Sequence, residues 1–314
     1  MTRHVVFGTG QIGRAVVAQL VAQGQQVVAV NRSGRGDLPG ADVIAADAAD
    51  PSVTTGLCAG ADVVYFCLNA VHYERWVAEF PPLQRGVLTG AQRAGARLVV
   101  LDNLYAYGPP NGRRLVESIE PNPTSAKAAT RAAMTAELLE AHRLGRTEVT
   151  IGRASDYFGP GTTRSALGES VFGPALNGGR AQVMGDPDTL HSYSYTPDVA
   201  TGLITLGAAP DAVGRIWHLP VPEASTTRQL IDQVYALAGH RPRLLAAGRT
   251  TLRLLGAVLP ELREYRHTLY QFTEPWVVDD NAFRTAFGGY ATPLADALAA
   301  TVDWYRGRAV VPVP

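Results

Sequence analysis

One of the 28 basic side chains in the sequence is a lysine, Lys127; the other 27 are arginines. Arginine stays protonated in proteins, whereas a lysine amine can exchange a proton or form a Schiff base. A chain that uses arginine nearly everywhere and keeps one lysine marks Lys127 as a position where arginine will not serve. The bland reading is a chance survivor on a helix surface. Arg131 stands four residues further on, so in a helix the two share a face. The second stretch with chemical meaning is Gly8-Thr9-Gly10-Gln11-Ile12-Gly13. Gly8 can take the turn dihedrals, Gly10 lets backbone approach a pyrophosphate, and Gly13 lets a helix lie close on a strand. The amides at that helix start attract an anion.

These residues need elements to hold them. Val5, Val6 and Phe7 form an apolar run before the glycines, and Ile12, Val16, Val17 and Leu20 continue with helical period, which predicts strand, turn, helix. A second strand over Gln26–Val30 ends at Asn31-Arg32-Ser33. A NAD site usually carries Asp or Glu there for the ribose hydroxyls. Arg and a small hydroxyl suit a 2′-phosphate instead, so the pattern favours NADP(H) over NAD(H). A third strand, Asp42–Ala45, leads to Asp47, well placed for the adenine amino group, and Asp50 starts a short helix. The nearly all-apolar run Asp62–Leu68 reads as a strand covered on both faces, with Leu68, Asn69 and Ala70 toward the cofactor. His72, Tyr73 and Trp76 follow, lining a pocket or packing.

A helix over Pro82–Ala94 precedes a strand, Arg97–Leu101, whose carboxyl end carries Asp102-Asn103-Leu104-Tyr105-Ala106-Tyr107-Gly108. That edge of an open parallel sheet is where ligands sit. Ser125 caps a long helix to about His142, placing Lys127 and Arg131 in its first turns. The strand Val149–Arg153 opens into a loop from Ala154 to Gly161, in which Asp156 reads as a hydrogen-bond partner of the loop and Tyr157 as a substrate contact. Alternating strands and helices give an α/β, Rossmann-type, doubly wound parallel sheet. The predicted organisation is a dinucleotide-binding domain over 1–160, with a last sheet strand near 215–219, and a smaller substrate lobe over 161–314.

With 314 residues, 46% of them hydrophobic, the chain is ample for a core, and 28 basic residues balance 28 acidic ones. No basic field points to nucleic acid or an anionic membrane, so a small molecule is the expected partner. Cys58 and Cys67 make no metal-ligand motif, the histidines have no metal-like spacing, and no metal is expected. The start of the chain shows no apolar leader and no stretch long enough to span a bilayer, so a cytoplasmic location is expected. No G-x-S-x-G elbow surrounds Ser165, which leaves a hydrolase triad unsupported. The aromatic, arginine-rich stretch Leu262–Trp276 reads as a cover over the pocket, with a subunit contact as the alternative.

Taken in order, the glycine turn, DVVYFCLNA, LDNLYAYG, PNPTSAK, RASDYFGPG and SYSYTPDVA resemble the extended or atypical short-chain dehydrogenase/reductases, the NAD-dependent epimerase/dehydratase group. The resemblance implies about seven sheet strands, a nicotinamide cofactor and a C-terminal substrate lobe. It places His191 and Tyr193 where relatives contact substrate or nicotinamide, and it implies a homodimer through the helices near Pro82–Ala94 and Ser125–His142. The chain also departs from the group. Phe7 stands at the first glycine of the usual turn, and the catalytic Ser, Tyr and Lys correspond to Asn103, Lys127 and Arg131. The phenol that moves the proton is missing.

Three readings remain open. Lys127 can replace that phenol as proton donor in an NADPH-dependent reduction of a carbonyl or enone, as in relatives that reduce plant phenolics. Arg131 would then bind the nicotinamide ribose and Asn103 would polarise the carbonyl. In the second reading Lys127, Tyr105 and Tyr193 carry a redox-neutral epimerisation, isomerisation or dehydration of a natural product or sugar derivative. In the third the fold is an NADP-binding sensor or interaction module without chemistry, against which the retained lysine counts.

Overall fold

The computed structural model describes residues 1–70, 75–248, 268–289 and 291–309. His72 and Tyr73, and the part of the Leu262–Trp276 stretch up to 267, lie outside the described residues. The chain forms two compact units. The first comprises Met1–Ala106, Ser125–Ala154 and Val199–Leu219, and the second Tyr107–Thr124, Ser155–Asp198 and Pro220–Pro314. Where the sequence suggests a division near residue 160 with one return to the sheet near 215–219, the chain passes between the units five times.

In the first unit seven strands make one parallel sheet: β1 (Arg3–Phe7), β2 (Gln26–Asn31), β3 (Asp42–Ala45), β4 (Val63–Phe66), β5 (Arg97–Asp102), β6 (Val149–Arg153) and, late in the chain, β11 (Ile216–His218). Their order is β11-β6-β5-β4-β1-β2-β3. Every pairing is parallel, so each connection is a crossover. The helices are α1 (Gln11–Ala22), α2 (Pro51–Cys58), α3 (Trp76–Ala94) and α4 (Ala126–Arg143). All four residues of β4 are buried, as a strand covered on both faces requires. On α1 the buried positions are Ile12, Gly13, Val16, Val17 and Leu20, the stripe that the helical period predicts.

One element departs from its sequence reading. α3 begins at Trp76, six residues before the expected start, and runs through Pro81 and Pro82. Trp76 and Phe80, one turn apart, are both buried, with their rings 4.8 Å from each other and Phe80 5.8 Å from Phe66. The two prolines remove the amides that would bond to the carbonyls of Val77 and Ala78. Both residues are exposed, so water can satisfy those carbonyls while the aromatic pair holds the turn.

Among its described residues the second unit has three two-stranded sheets: β7 (Asp156–Phe158) with β10 (Tyr193–Tyr195), β8 (Ala181–Met184) with β13 (Leu244–Ala247), and β9 (Leu190–His191) with β12 (Ser225–Thr226). Its helices are α5 (Glu169–Leu176), α7 (Thr227–Ala238), α8 (Asn281–Phe287) and α9 (Leu294–Ala309), while α6 (Thr196–Ala208) carries the chain from the second unit to the first. Phe158, Phe172, Tyr195, Tyr235 and Tyr305 anchor its own core. No described helix is long and apolar enough to cross a membrane.

Candidate active site

The glycine turn is built by contact. Gly8 sits at φ +100°, where only glycine is unstrained, and a Cβ on it would lie 2.6 Å from the carbonyl oxygen of Cys67. A Cβ on Gly13 would collide with the carbonyl of Gly8, whereas one on Gly10 would meet nothing within 4 Å. Gly8 and Gly13 therefore serve the packing of turn on helix, and Gly10 faces open space. No side chain caps the first turn of α1 and no acidic residue stands in it. An open glycine before an uncapped, acid-free helix start fits a bound pyrophosphate. The turn is tied to β2 by Asn31, whose Nδ2 donates to Thr9 Oγ1 at 2.9 Å.

Asn31 is otherwise spent on its own loop. Its Oδ1 accepts from the amides of Ser33 and Gly34 and from Ser33 Oγ at 2.8–3.0 Å. Ser33 Oγ also accepts from the Arg35 amide at 3.2 Å. The Ser33 hydroxyl is thus already engaged inside the loop, which presents the exposed charges of Arg32, Arg35 and Asp37. Asp47 stands exposed after β3, with Oδ1 accepting from the Ala49 amide. Beyond β4, Asn69 Oδ1 accepts from Trp76 Nε1 at 2.5 Å and from the Ala70 amide at 2.9 Å, so it holds the start of α3. Burial pushes the Cys67 thiol up to about 12, too high for a thiolate nucleophile at neutral pH. Both cysteines are free, and among the described residues no cluster could hold a metal.

The carboxyl end of β5 is organised by Asp102, which is 2% exposed. Its carboxylate accepts from the Asn103 amide at 2.8 Å, from Arg153 Nε at 2.9 Å, from Thr135 Oγ1 at 3.2 Å, and from Arg131. Burial pushes the carboxyl up, but the charges and hydrogen bonds of Arg131 and Arg153 outweigh it and hold the group below the usual carboxylate range. Arg131 also lies with its guanidinium 4.8 Å from the centre of the Phe80 ring. The residue that the resemblance puts beside a ribose therefore bolts α4 to β5 and α3.

Lys127 is the second residue of α4 and is 8% exposed. Ser125 caps the helix, its Oγ accepting from the Ala128 amide at 3.1 Å. A cation in the first turn opposes the helix dipole, a cost of about 0.3–1 kcal/mol at a surface. Asn103 Oδ1 accepts from the Tyr105 amide at 3.1 Å, which leaves its Nδ2 hydrogens as the donors it can offer a ligand oxygen. Tyr105 lies in the 3₁₀ turn Tyr105–Tyr107 that follows. Asn103, Tyr105, Lys127, Arg131 and the glycine turn all belong to the first unit. Tyr107 is buried and belongs to the second unit.

The other expected contacts among the described residues lie in the second unit. Tyr193 is buried with its hydroxyl 2.8 Å from Thr227 Oγ1, and burial raises its phenol. His191, also buried, lies 2.9 Å through Nε2 from Asp156 Oδ2 and 3.0 Å through Nδ1 from the Gln271 carbonyl. Tyr157 is half-buried on β7. The carboxylate of Asp156 is paired with a histidine 35 residues away rather than with its own loop. Sequence reading left Asp102 and Arg153 out of the site, and only the burial of Asp102 in an apolar strand hinted at a charged partner.

Residues 5–219 match the family described as "NAD dependent epimerase/dehydratase family". No protein among the curated sequences matches the chain. Solved structures share its fold. DesIV, a dTDP-glucose 4,6-dehydratase from Streptomyces venezuelae with NAD bound, superposes with a TM-score of 0.79 at 21% identity, over 98% of this chain and 97% of that one. UDP-N-acetylglucosamine 4-epimerase from Bacillus cereus gives 0.79 at 14% identity, over 100% and 99%. UDP-glucuronic acid 4-epimerase from Bacillus cereus, with UDP-glucuronic acid and NAD, gives 0.79 at 15%, over 98% and 100%.

Proposed function

The chain belongs to the NAD dependent epimerase/dehydratase family, and from that premise we propose that it is a nicotinamide-dinucleotide-dependent enzyme acting on a small hydroxylated molecule without net redox change. The substrate class is a sugar derivative or natural product, and the reaction an epimerisation, isomerisation or dehydration. The observation that carries the proposal is Lys127, the sole lysine of the chain, buried in the first turn of α4 where a cation is otherwise unfavourable. When bound, the dinucleotide supplies a hydride acceptor and donor. Lys127 moves the proton of the reacting hydroxyl, and Asn103 Nδ2 donates to the same oxygen as charge builds on it. Arg131 acts at one remove, by fixing the first turns of α4 against Asp102.

A second reading, NADPH-dependent reduction of a carbonyl or enone with Lys127 as proton donor, is favoured by one feature. The loop after β2 carries Asn31 and an exposed Arg32 where a carboxylate would select NAD, which supports NADP(H) as the preferred cofactor. The solved neighbours named above were determined with NAD in two cases, so both dinucleotides belong in the assay.

The deciding experiment combines binding and stoichiometry. At about 100 times Kd, a dinucleotide should stabilise the protein by roughly 2.7 kcal/mol. The loaded protein is then given nucleotide sugars, free sugars and hydroxy-ketones, with absorbance at 340 nm and product mass followed together. Product in excess of dinucleotide, with no lasting change at 340 nm, supports the redox-neutral reading. Stoichiometric loss of NADPH supports the reductase. No stabilisation by any dinucleotide overturns both.

A further inference from the structure

We propose that Asp156 is a proton-transfer residue for carbon acids next to a carbonyl, with His191 as its positioning residue.

A carbonyl oxygen can only accept, so the 3.0 Å contact of His191 Nδ1 with the Gln271 carbonyl requires a proton on Nδ1. The Nε2 contact with Asp156 Oδ2, at 2.9 Å, also needs a proton, either on Nε2 or on the carboxyl. In both cases the pair holds one proton more than a neutral imidazole and a carboxylate would. The ring has no freedom to turn away. It is 2% exposed, lies parallel to Phe272 within 4° at 5.2 Å, and meets Tyr193 at 4.2 Å. Besides Asp156 on β7, the ionisable group against the ring among the described residues is Tyr193 on β10, whose hydroxyl faces Thr227.

The two members differ in access. His191 is sealed, whereas the Asp156 side chain is 26% exposed and its Oδ1 is hydrogen-bonded to no described residue. A ligand can therefore reach the carboxyl through Oδ1 while Oδ2 stays fixed on the imidazole. With the shared proton on His191 Nε2, Asp156 is a carboxylate, and its Oδ1 takes the proton from a carbon beside a carbonyl. The C–H electron pair becomes the C=C bond of an enolate, and the carbonyl π pair moves onto oxygen. Returning the proton to that carbon restores the ketone. Alternatively the enolate electrons expel a β-hydroxyl, which leaves as water with the proton from Asp156. No oxidant or reductant enters either step.

The test uses the full-length protein and dihydroxyacetone in D₂O, a probe of enolisation that needs no dinucleotide. The wild type is expected to speed carbon-bound deuterium uptake over buffer. Asp156→Asn should lower that rate about 100-fold or more, and Asp156→Glu, which keeps the carboxyl, should recover part of it. His191→Gln should lower the rate by less and shift its pH profile, which a merely structural role would not do. Nitrogen-15 spectra of the histidine rings, recorded on wild type and Asp156→Asn, serve as the fold check. Exchange no faster than buffer in the wild type, or equal in wild type and Asp156→Asn, overturns the proposal. Dinucleotide binding and turnover are read separately, so failure of the preceding proposal shows there and not here.

Discussion

Replacing Asp102 by Asn removes one negative charge from beneath two buried guanidiniums and changes almost nothing in shape. The native carboxylate accepts from Arg131, Arg153, Thr135 and the Asn103 amide, and both arginines are themselves buried. Removing one partner of a buried ion pair typically costs about 3–5 kcal/mol, because the remaining charge stays desolvated and uncompensated. At about 2–4 °C per kcal/mol for a unit of this size, the melting temperature should fall by roughly 6–20 °C. The effect has a pH signature. The folded carboxyl is held below its ordinary range, so its contribution is complete above the unfolded value near 4 and is lost as pH falls through the folded value. The gap between wild type and Asp102→Asn should therefore be flat from pH 5 to 8 and close in acid. Thermal melts across that range measure it. A variant that melts within 2 °C of wild type at pH 7 would refute the view that Asp102 organises this edge. A useful companion replaces Asp102, Arg131 and Arg153 together by apolar residues of similar size, which should restore much of the stability while leaving the site inactive.

Four further variants probe the same geometry. Gly10→Ala should melt like wild type without ligand yet lose the dinucleotide-dependent rise, since its Cβ meets nothing in the protein; Gly13→Ala should be destabilised by about 1–3 kcal/mol even without ligand. Arg32→Ala should weaken NADPH binding about tenfold, from loss of a charge-assisted bond to the 2′-phosphate, and leave NADH binding unchanged by titration calorimetry. Ser125→Ala should cost about 1 kcal/mol in denaturant melts and lower kcat disproportionately, because it frays the turn that carries Lys127.

Much of the first unit was legible because its signals are local. The glycine spacing maps onto strand, turn and helix, and β3 and β6 fall on the residues that the apolar runs predict. α3 was misread at its start because two prolines outweigh local propensity, and only the packing of Trp76 and Phe80 against Phe66 reveals the longer helix. The charged partners of the site were not legible. Asp102 meets Arg131 and Arg153 across 29 and 51 residues, and Asp156 meets His191 across 35. No periodicity encodes such pairings. Arg131 shows the limit well: its place four residues after Lys127 was plain, but the direction of its guanidinium depends on a carboxylate supplied by another strand.

The central claim is that Lys127 moves a proton in a dinucleotide-dependent reaction, and Lys127→Arg tests it most directly because charge is kept while titration is lost. Single-turnover measurement at 340 nm, on the loaded protein with its best substrate, should show the hydride step slowed about 100-fold or more, with dinucleotide affinity within threefold of wild type. Turnover undiminished in Lys127→Arg would contradict the account.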